Sequence, residues 1–149
     1  MKIFLGTDHN GFALKQKLSD YLHTRGYEIF EDPAQTLNPE DDFPEFASKT
    51  VKALQATQDP EDRAILICGS GQGMCMAANR YKGIRASLVW NQSEARAARN
   101  DDDSNVLCLA AREITDFDQI VAITEVWLKT PFLGAERFLR RIKQLDELN

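Results

Sequence analysis

The densest chemistry in the chain lies in six residues, Cys68-Gly69-Ser70-Gly71-Gln72-Gly73, which hold three of its eight glycines. They follow the apolar run Arg63 to Cys68 and lead into a helical pattern from about Gly73 to Tyr81. Glycines in such a turn let backbone N–H groups converge on an anion, with the positive end of a helix behind them. A cysteine at the last strand residue faces those donors, a place that favours a thiolate acting as base or nucleophile. The plainer alternative is a tight βα turn with a buried cysteine. The segment lacks the Gly-Lys-Ser/Thr of a Walker loop and is not a dinucleotide fingerprint.

Thr7-Asp8-His9-Asn10-Gly11-Phe12 forms a second candidate group. Helix capping explains Asp8 or Asn10 but not the histidine. The other histidine, His23, falls late in a helix and reads as a surface residue. Arg137 and Arg141 are spaced i,i+4, where like charges repel unless something neutralises them. A phosphate between two guanidinium forks would do so; a solvated basic face is the alternative. Arg140 can pair with Glu136 and reads as the surface member. Asp101-Asp102-Asp103 closes a helix against its dipole, either as a solvated end or facing a sugar or metal. No histidine or further carboxylate at metal spacing accompanies them, so no metal is assigned. Cys75 and Cys108 read as packing.

These groups need elements to position them. Strands are predicted at Lys2 to Thr7, Tyr27 to Phe30, Arg63 to Cys68, Ile84 to Trp90 and Asn105 to Leu109. Helices are predicted at 11 to 25, from Pro44 onward, 73 to 81, 93 to 100, 116 to 129 and 135 to 148. This alternation predicts a Rossmann-like three-layer α/β/α fold with a five-stranded parallel sheet. Ligands bind such sheets beyond the carboxyl ends of the strands, here after strands one, three and five. The loop from Glu31 to Phe43, with two of the five prolines, is long and is expected to shape the pocket.

The chain has 149 residues, 43% apolar and 28% charged, with a net charge of -5. These values predict one domain over 1–149. The acidic balance and the absence of a Lys/Arg cluster argue against nucleic acid. No apolar run is long enough for a membrane span, and no signal peptide is evident. Three cysteines without CxxC spacing argue against a disulfide framework or zinc site, so a cytoplasmic location is expected.

Taken together, Gly6-Thr7-Asp8-His9-Asn10-Gly11-Phe12, Asp42-Phe43-Pro44, Ile65-Leu66-Ile67-Cys68-Gly69-Ser70-Gly71-Gln72-Gly73 and Gly83-Ile84-Arg85-Ala86 resemble the ribose-5-phosphate isomerase B family. The wider group includes the galactose-6-phosphate isomerase subunits. Asn105-Val106-Leu107, Arg112 and the Arg137/Arg141 pair extend the resemblance over essentially the whole chain. It implies a homodimer with shared active sites, the helix at about 135–148 packing on the partner, and leaves open association into tetramers. It implies cofactor-free interconversion of an aldose phosphate and a ketose phosphate, with ribose 5-phosphate and ribulose 5-phosphate as the first pair to consider.

By the same resemblance, Cys68 is the base that moves a proton between C2 and C1, and Ser70 helps to transfer the hydroxyl proton. Backbone N–H groups from Gly69 through Gly71 and Gln72 to Gly73 stabilise the enediolate, and Asp8 contacts the sugar. His9, Arg137 and Arg141 bind phosphate, with Arg112 supplied by the partner subunit. The residue chemistry agrees: removing a proton α to a carbonyl needs a base and stabilisation of the oxyanion.

Two positions depart from the family pattern. Where members usually carry His-Asn, with the histidine opening the sugar ring, this chain has Asp101-Asp102. Ring opening then falls to Asp101 or to another group, or proceeds poorly, and Asp102 is expected among the substrate-binding residues. Phe138 replaces a frequent histidine near the phosphate. The alternatives are an isomerase of a hexose 6-phosphate, a sugar-phosphate-binding or regulatory homologue with weak or no turnover, and a flavin or nucleotide module on similar architecture.

Overall fold

A strand such as Arg63–Cys68, with all six residues buried, requires cover on both faces of its sheet. The computed structural model, in which residues 1–148 are described, supplies that cover. Strands β1 (Lys2–Thr7), β2 (Glu28–Phe30), β3 (Arg63–Cys68), β4 (Ala86–Leu88) and β5 (Val106–Ala110) form one parallel sheet in the order β2-β1-β3-β5-β4. The helices are α1 (Phe12–Thr24), α2 (Phe43–Thr57), α3 (Gln72–Ala78), α4 (Gln92–Asn100), α5 (Phe117–Lys129) and α6 (Glu136–Asp146). A short 3-10 turn, His9–Gly11, precedes α1.

The two-residue period of a strand divides the core. Ile3, Leu5, Ile65, Ile67, Leu107 and Leu109 pack with Leu18 and Leu22 of α1, Ala95 and Ala98 of α4, and Ile120, Ile123 and Trp127 of α5. Phe4, Ala64, Leu66, Cys68, Val106 and Cys108 pack instead with Ala47, Val51 and Leu54 of α2 and Met74 and Ala78 of α3. This is the three-layer α/β/α arrangement expected from the sequence. It places Cys68 on the α2/α3 side. The connection leaving β1 goes to β2 on one side, and that leaving β3 goes to the opposite side. A crevice therefore opens at the carboxyl ends of β1 and β3.

Element ends differ from the sequence reading where side chains claim the backbone. The fourth strand covers only Ala86–Leu88 of the predicted Ile84 to Trp90. The Ile84 N–H turns back to the Tyr81 carbonyl, and the Arg85 N–H is taken by Asn105 Oδ1 at 2.8 Å. Trp90 lies beyond the strand and is 56% exposed. Tyr27 does not open β2; its N–H bonds the Leu22 carbonyl and, with Gly26 at φ 83°, closes α1. Of α6 only Phe138 is buried, while Leu139 and Leu145 face solvent. Among the described residues, no helix is long and apolar enough to cross a membrane.

The long loop after β2 is tied down at its root. Gln35 Nε2 donates to the Thr7 carbonyl at 2.7 Å, and Lys15 Nζ donates to Gln35 Oε1 at 2.9 Å. The Lys15 ammonium is also 3.0 Å from Glu31 Oε2, and Ser19 donates to the other oxygen of that carboxylate. The Lys15 side chain is buried, so its partners are obligatory. Lys15→Met is expected to cost about 2 kcal/mol in urea unfolding, since Glu31 keeps partial access to water. Amide exchange across residues 31–42 should rise with it; unchanged exchange would show that Lys15 does not hold the loop.

Candidate active site

The carboxyl ends of β1 and β3 enclose a cavity of about 280 Å³. Asp8, His9, Cys68, Gly69, Ser70, Gly73 and Arg112 all line it. Seven of the residues singled out from the sequence thus meet within one chain.

Cys68 ends β3 with its thiol buried, and the Gly71 N–H points at Sγ from 3.1 Å. A donor aimed at sulfur is what a thiolate base requires. Gly71 can do this because it adopts φ 72°. A Cβ there would stand 2.4 Å from Leu88 Cδ1, so the turn also has no room for a side chain. The Gln72 N–H bonds Ser70 Oγ at 3.3 Å. Two of the expected anion donors, Gly71 and Gln72, are therefore engaged inside the turn. Gly69, Ser70 and Gly73 are the members of the segment that line the cavity.

Asp8 does two things. Its Oδ1 accepts from the N–H groups of Asn10 (2.9 Å) and Gly11 (3.3 Å), so the capping reading holds. The same carboxylate lines the cavity.

Arg112 corrects one expectation. The β3–β5 ladder continues past Cys68, with Ala111 N–H to the Cys68 carbonyl and Arg112 N–H to the Gly69 carbonyl, both at 2.9 Å. The Arg112 guanidinium is thereby laid over Gly69, where a Cβ would come within 2.2 Å of its Nε. This arginine enters its own chain's cavity rather than a partner's.

One lining residue, Asp41, was not singled out from the sequence. Asp41 Oδ1 lies 2.7 Å from His9 Nδ1 and also accepts the His9 backbone N–H at 3.0 Å. That hydrogen bond is the main cause of a raised His9 pKa; Asp8 adds to it, while burial and Arg112 oppose it. Phe43, at the start of α2, lies over Gly73, where a Cβ would meet its ring at 2.8 Å. The loop length was the only signal pointing to Asp41, whereas Phe43 belongs to the Asp42-Phe43-Pro44 motif.

Besides Gly71 and Gln72, four further expected site residues do not line the cavity. Asp101 caps the end of α4, and Asp102 and Asp103 follow it toward β5. Arg85 and Arg99 each reach Asp103 at 2.8 Å, which fixes this segment at the amino ends of β4 and β5. The Asn105 carbonyl accepts the Ala64 N–H, and Cys68 lies four residues further along β3. The two ends are thus about 13 Å apart along the strands. Arg141 is at the same amino end, where it opposes a rise in the Asp102 pKa caused by burial and by Asp101. Arg137 stacks on Phe138, 4.8 Å from the ring centroid. Cys108 is fully buried, and the half-buried Cys75 thiol donates to the Ala86 carbonyl at 3.3 Å. Its hydrogen bond with Cys108 lowers the Cys75 pKa to about 7.

Comparison with known proteins identifies the class. A model described as Ribose/Galactose Isomerase matches residues 3–145. Probable ribose-5-phosphate isomerase B from Mycoplasma genitalium is 39% identical over 143 residues, covering 96% of this chain and 92% of that protein. A 4-deoxy-4-sulfo-D-erythrose isomerase from a Clostridium species is 36% identical over 109 residues, covering 73% and 67%. Ribose-5-phosphate isomerase B from Clostridium thermocellum has a TM-score of 0.92 at 36% identity, over 99% of this chain and 97% of that one. The Mycoplasma genitalium enzyme with bound ribulose-5-phosphate also gives 0.92 at 36% identity, over 99% and 95%. Fold and site together define an aldose–ketose isomerase of sugar phosphates. The chain belongs to the ribose/galactose isomerase family.

Proposed function

We propose that the enzyme interconverts ribose 5-phosphate and ribulose 5-phosphate through an enediolate, with Cys68 as the base. The observation that carries this reading is the Gly71 N–H aimed at Cys68 Sγ on the cavity wall. The thiolate takes the C2 proton of the open-chain aldose. The C2–H electron pair forms the C1–C2 double bond, and O1 becomes the oxyanion. Backbone N–H groups of Gly69, Ser70 and Gly73, the turn residues that line the cavity, stabilise that charge. Ser70 moves the hydroxyl proton between O2 and O1, and the Cys68 thiol returns its proton to C1 as the C2 carbonyl forms. His9 and Arg112 bind the phosphate from this chain, and Asp8 orients the sugar.

The rest of the site comes from a second copy of the chain. Asp101, Asp102, Arg137 and Arg141 carry polar groups suited to a sugar phosphate but lie outside their own chain's cavity, with Asp101, Asp102 and Arg141 at the far end of the sheet. The exposed Leu139 and Leu145 give α6 an apolar surface with which to dock on a neighbour. Asp101 of that copy then takes the ring-opening role.

The test is a panel of ribose 5-phosphate, galactose 6-phosphate and 4-deoxy-4-sulfo-D-erythrose incubated with the enzyme in D2O. Ribose 5-phosphate is expected to give ribulose 5-phosphate carrying solvent deuterium at C1. Binding without turnover or exchange across the panel would make the chain a sugar-phosphate-binding protein instead.

A further inference from the structure

We propose that Asp41 is a positioning residue of this isomerase, holding the His9 ring through Nδ1 so that Nε2 is presented to the anionic end of the substrate. The inference rests on the sugar-phosphate reading above. Asp41 grips His9 twice with one oxygen, taking the backbone N–H at 3.0 Å and facing ring Nδ1 at 2.7 Å. Main chain and ring are thereby fixed together. The Asp41 side chain is 8% exposed and that of His9 32%, so the buried partner anchors while the open one faces the cavity. A carboxylate at Nδ1 keeps a proton on that nitrogen and favours the charged ring.

On the opposite side, Nε2 stands 2.9 Å from Asn10 Nδ2, which also reaches Asp8 Oδ2 at 3.4 Å. When the ring is charged both nitrogens donate, and Nε2 can no longer accept from the Asn10 amide. An anion in the cavity is the acceptor that Nε2–H then needs. The charged and titratable groups around the ring are Asp8 after β1, Asp41 and Asp42 in the long loop, Cys68 at the end of β3 and Arg112 after β5. Asp8 and Asp41 favour the imidazolium, and Arg112 opposes it.

Asp41→Asn tests the assignment, because the amide oxygen can still accept the His9 N–H while the charge is gone. KM for ribose 5-phosphate should rise about tenfold near neutral pH, with kcat changed less than about twofold. The pH above which KM climbs should move down. Asp41→Glu should restore part of the loss. The chain has two histidines, so imidazole NMR of the full-length enzyme, with His23→Gln as the assignment control, reads His9 directly. Its titration should move to lower pH in Asp41→Asn, and inorganic phosphate should bind more weakly there. An unmoved His9 titration, or an unchanged dependence of KM on pH, would overturn the proposal. The NMR measurement uses no sugar, so it gives an answer even if ribose 5-phosphate proves to be the wrong substrate.

Discussion

Cys68→Ser should lower kcat about a thousandfold while leaving KM within about threefold of the parent. The serine hydroxyl occupies nearly the same space and can still accept from the Gly71 N–H, so the turn keeps its shape. What is lost is the sulfur proposed to take the carbon-bound proton. His9 and Arg112, the proposed phosphate ligands, are untouched, so ground-state binding should persist. Solvent deuterium should cease to enter the product. A variant retaining more than about a tenth of parental turnover, with an unchanged melting temperature, would remove Cys68 from the mechanism.

Mixing two inactive variants should restore activity. One carries Cys68→Ala, and the other Arg137→Ala with Arg141→Ala. In a two-fold dimer with shared sites, each hybrid has one site with both defects and one with neither. Random exchange makes half of the dimers hybrids, each with one working site, so about a quarter of parental activity should return. The measurement is specific activity after co-refolding equal amounts of the two variants. Activity staying at the level of the separate variants would mean that each chain builds its site alone. That outcome would leave the far-end placement of Arg141 and Asp102 without a catalytic role.

The parts of this molecule legible in its sequence are those set by local pattern. Arg63–Cys68 reads as a doubly buried strand because its apolar run is continuous, and it is buried throughout. The Cys68–Gly73 turn and the Asp8-His9 pair stand out because their residue types are unusual for plain connections, and the structure brings them together. The fourth strand was overestimated because an apolar run does not reveal that Asn105, twenty residues away, takes the Arg85 N–H. Asp41 lies 32 residues from His9 in a loop with no periodicity, so nothing local marks their contact. The resemblance implied Arg112 from a partner subunit, whereas the β3–β5 ladder runs on beyond its last strand residue and brings Arg112 to its own chain's cavity, which nothing local in the sequence shows. The separation of Asp101 and Asp102 from Cys68 follows from the direction of the α4 connection between β4 and β5, a property of topology rather than of spacing.

The amide latch from Gln35 to the Thr7 carbonyl has a thermodynamic meaning for catalysis. It joins the loop that carries Asp41 to the end of the strand that leads into Asp8 and His9. Lys15 and Ser19 of α1 secure the same loop from below through Gln35 and Glu31. All of these partners belong to the protein, so the loop is ordered before any sugar arrives. Binding then carries little cost in lost chain entropy over this segment. In the proposed reaction, the attraction of the phosphate to His9 and Arg112 is then left free to align the C1–C2 bond with Cys68.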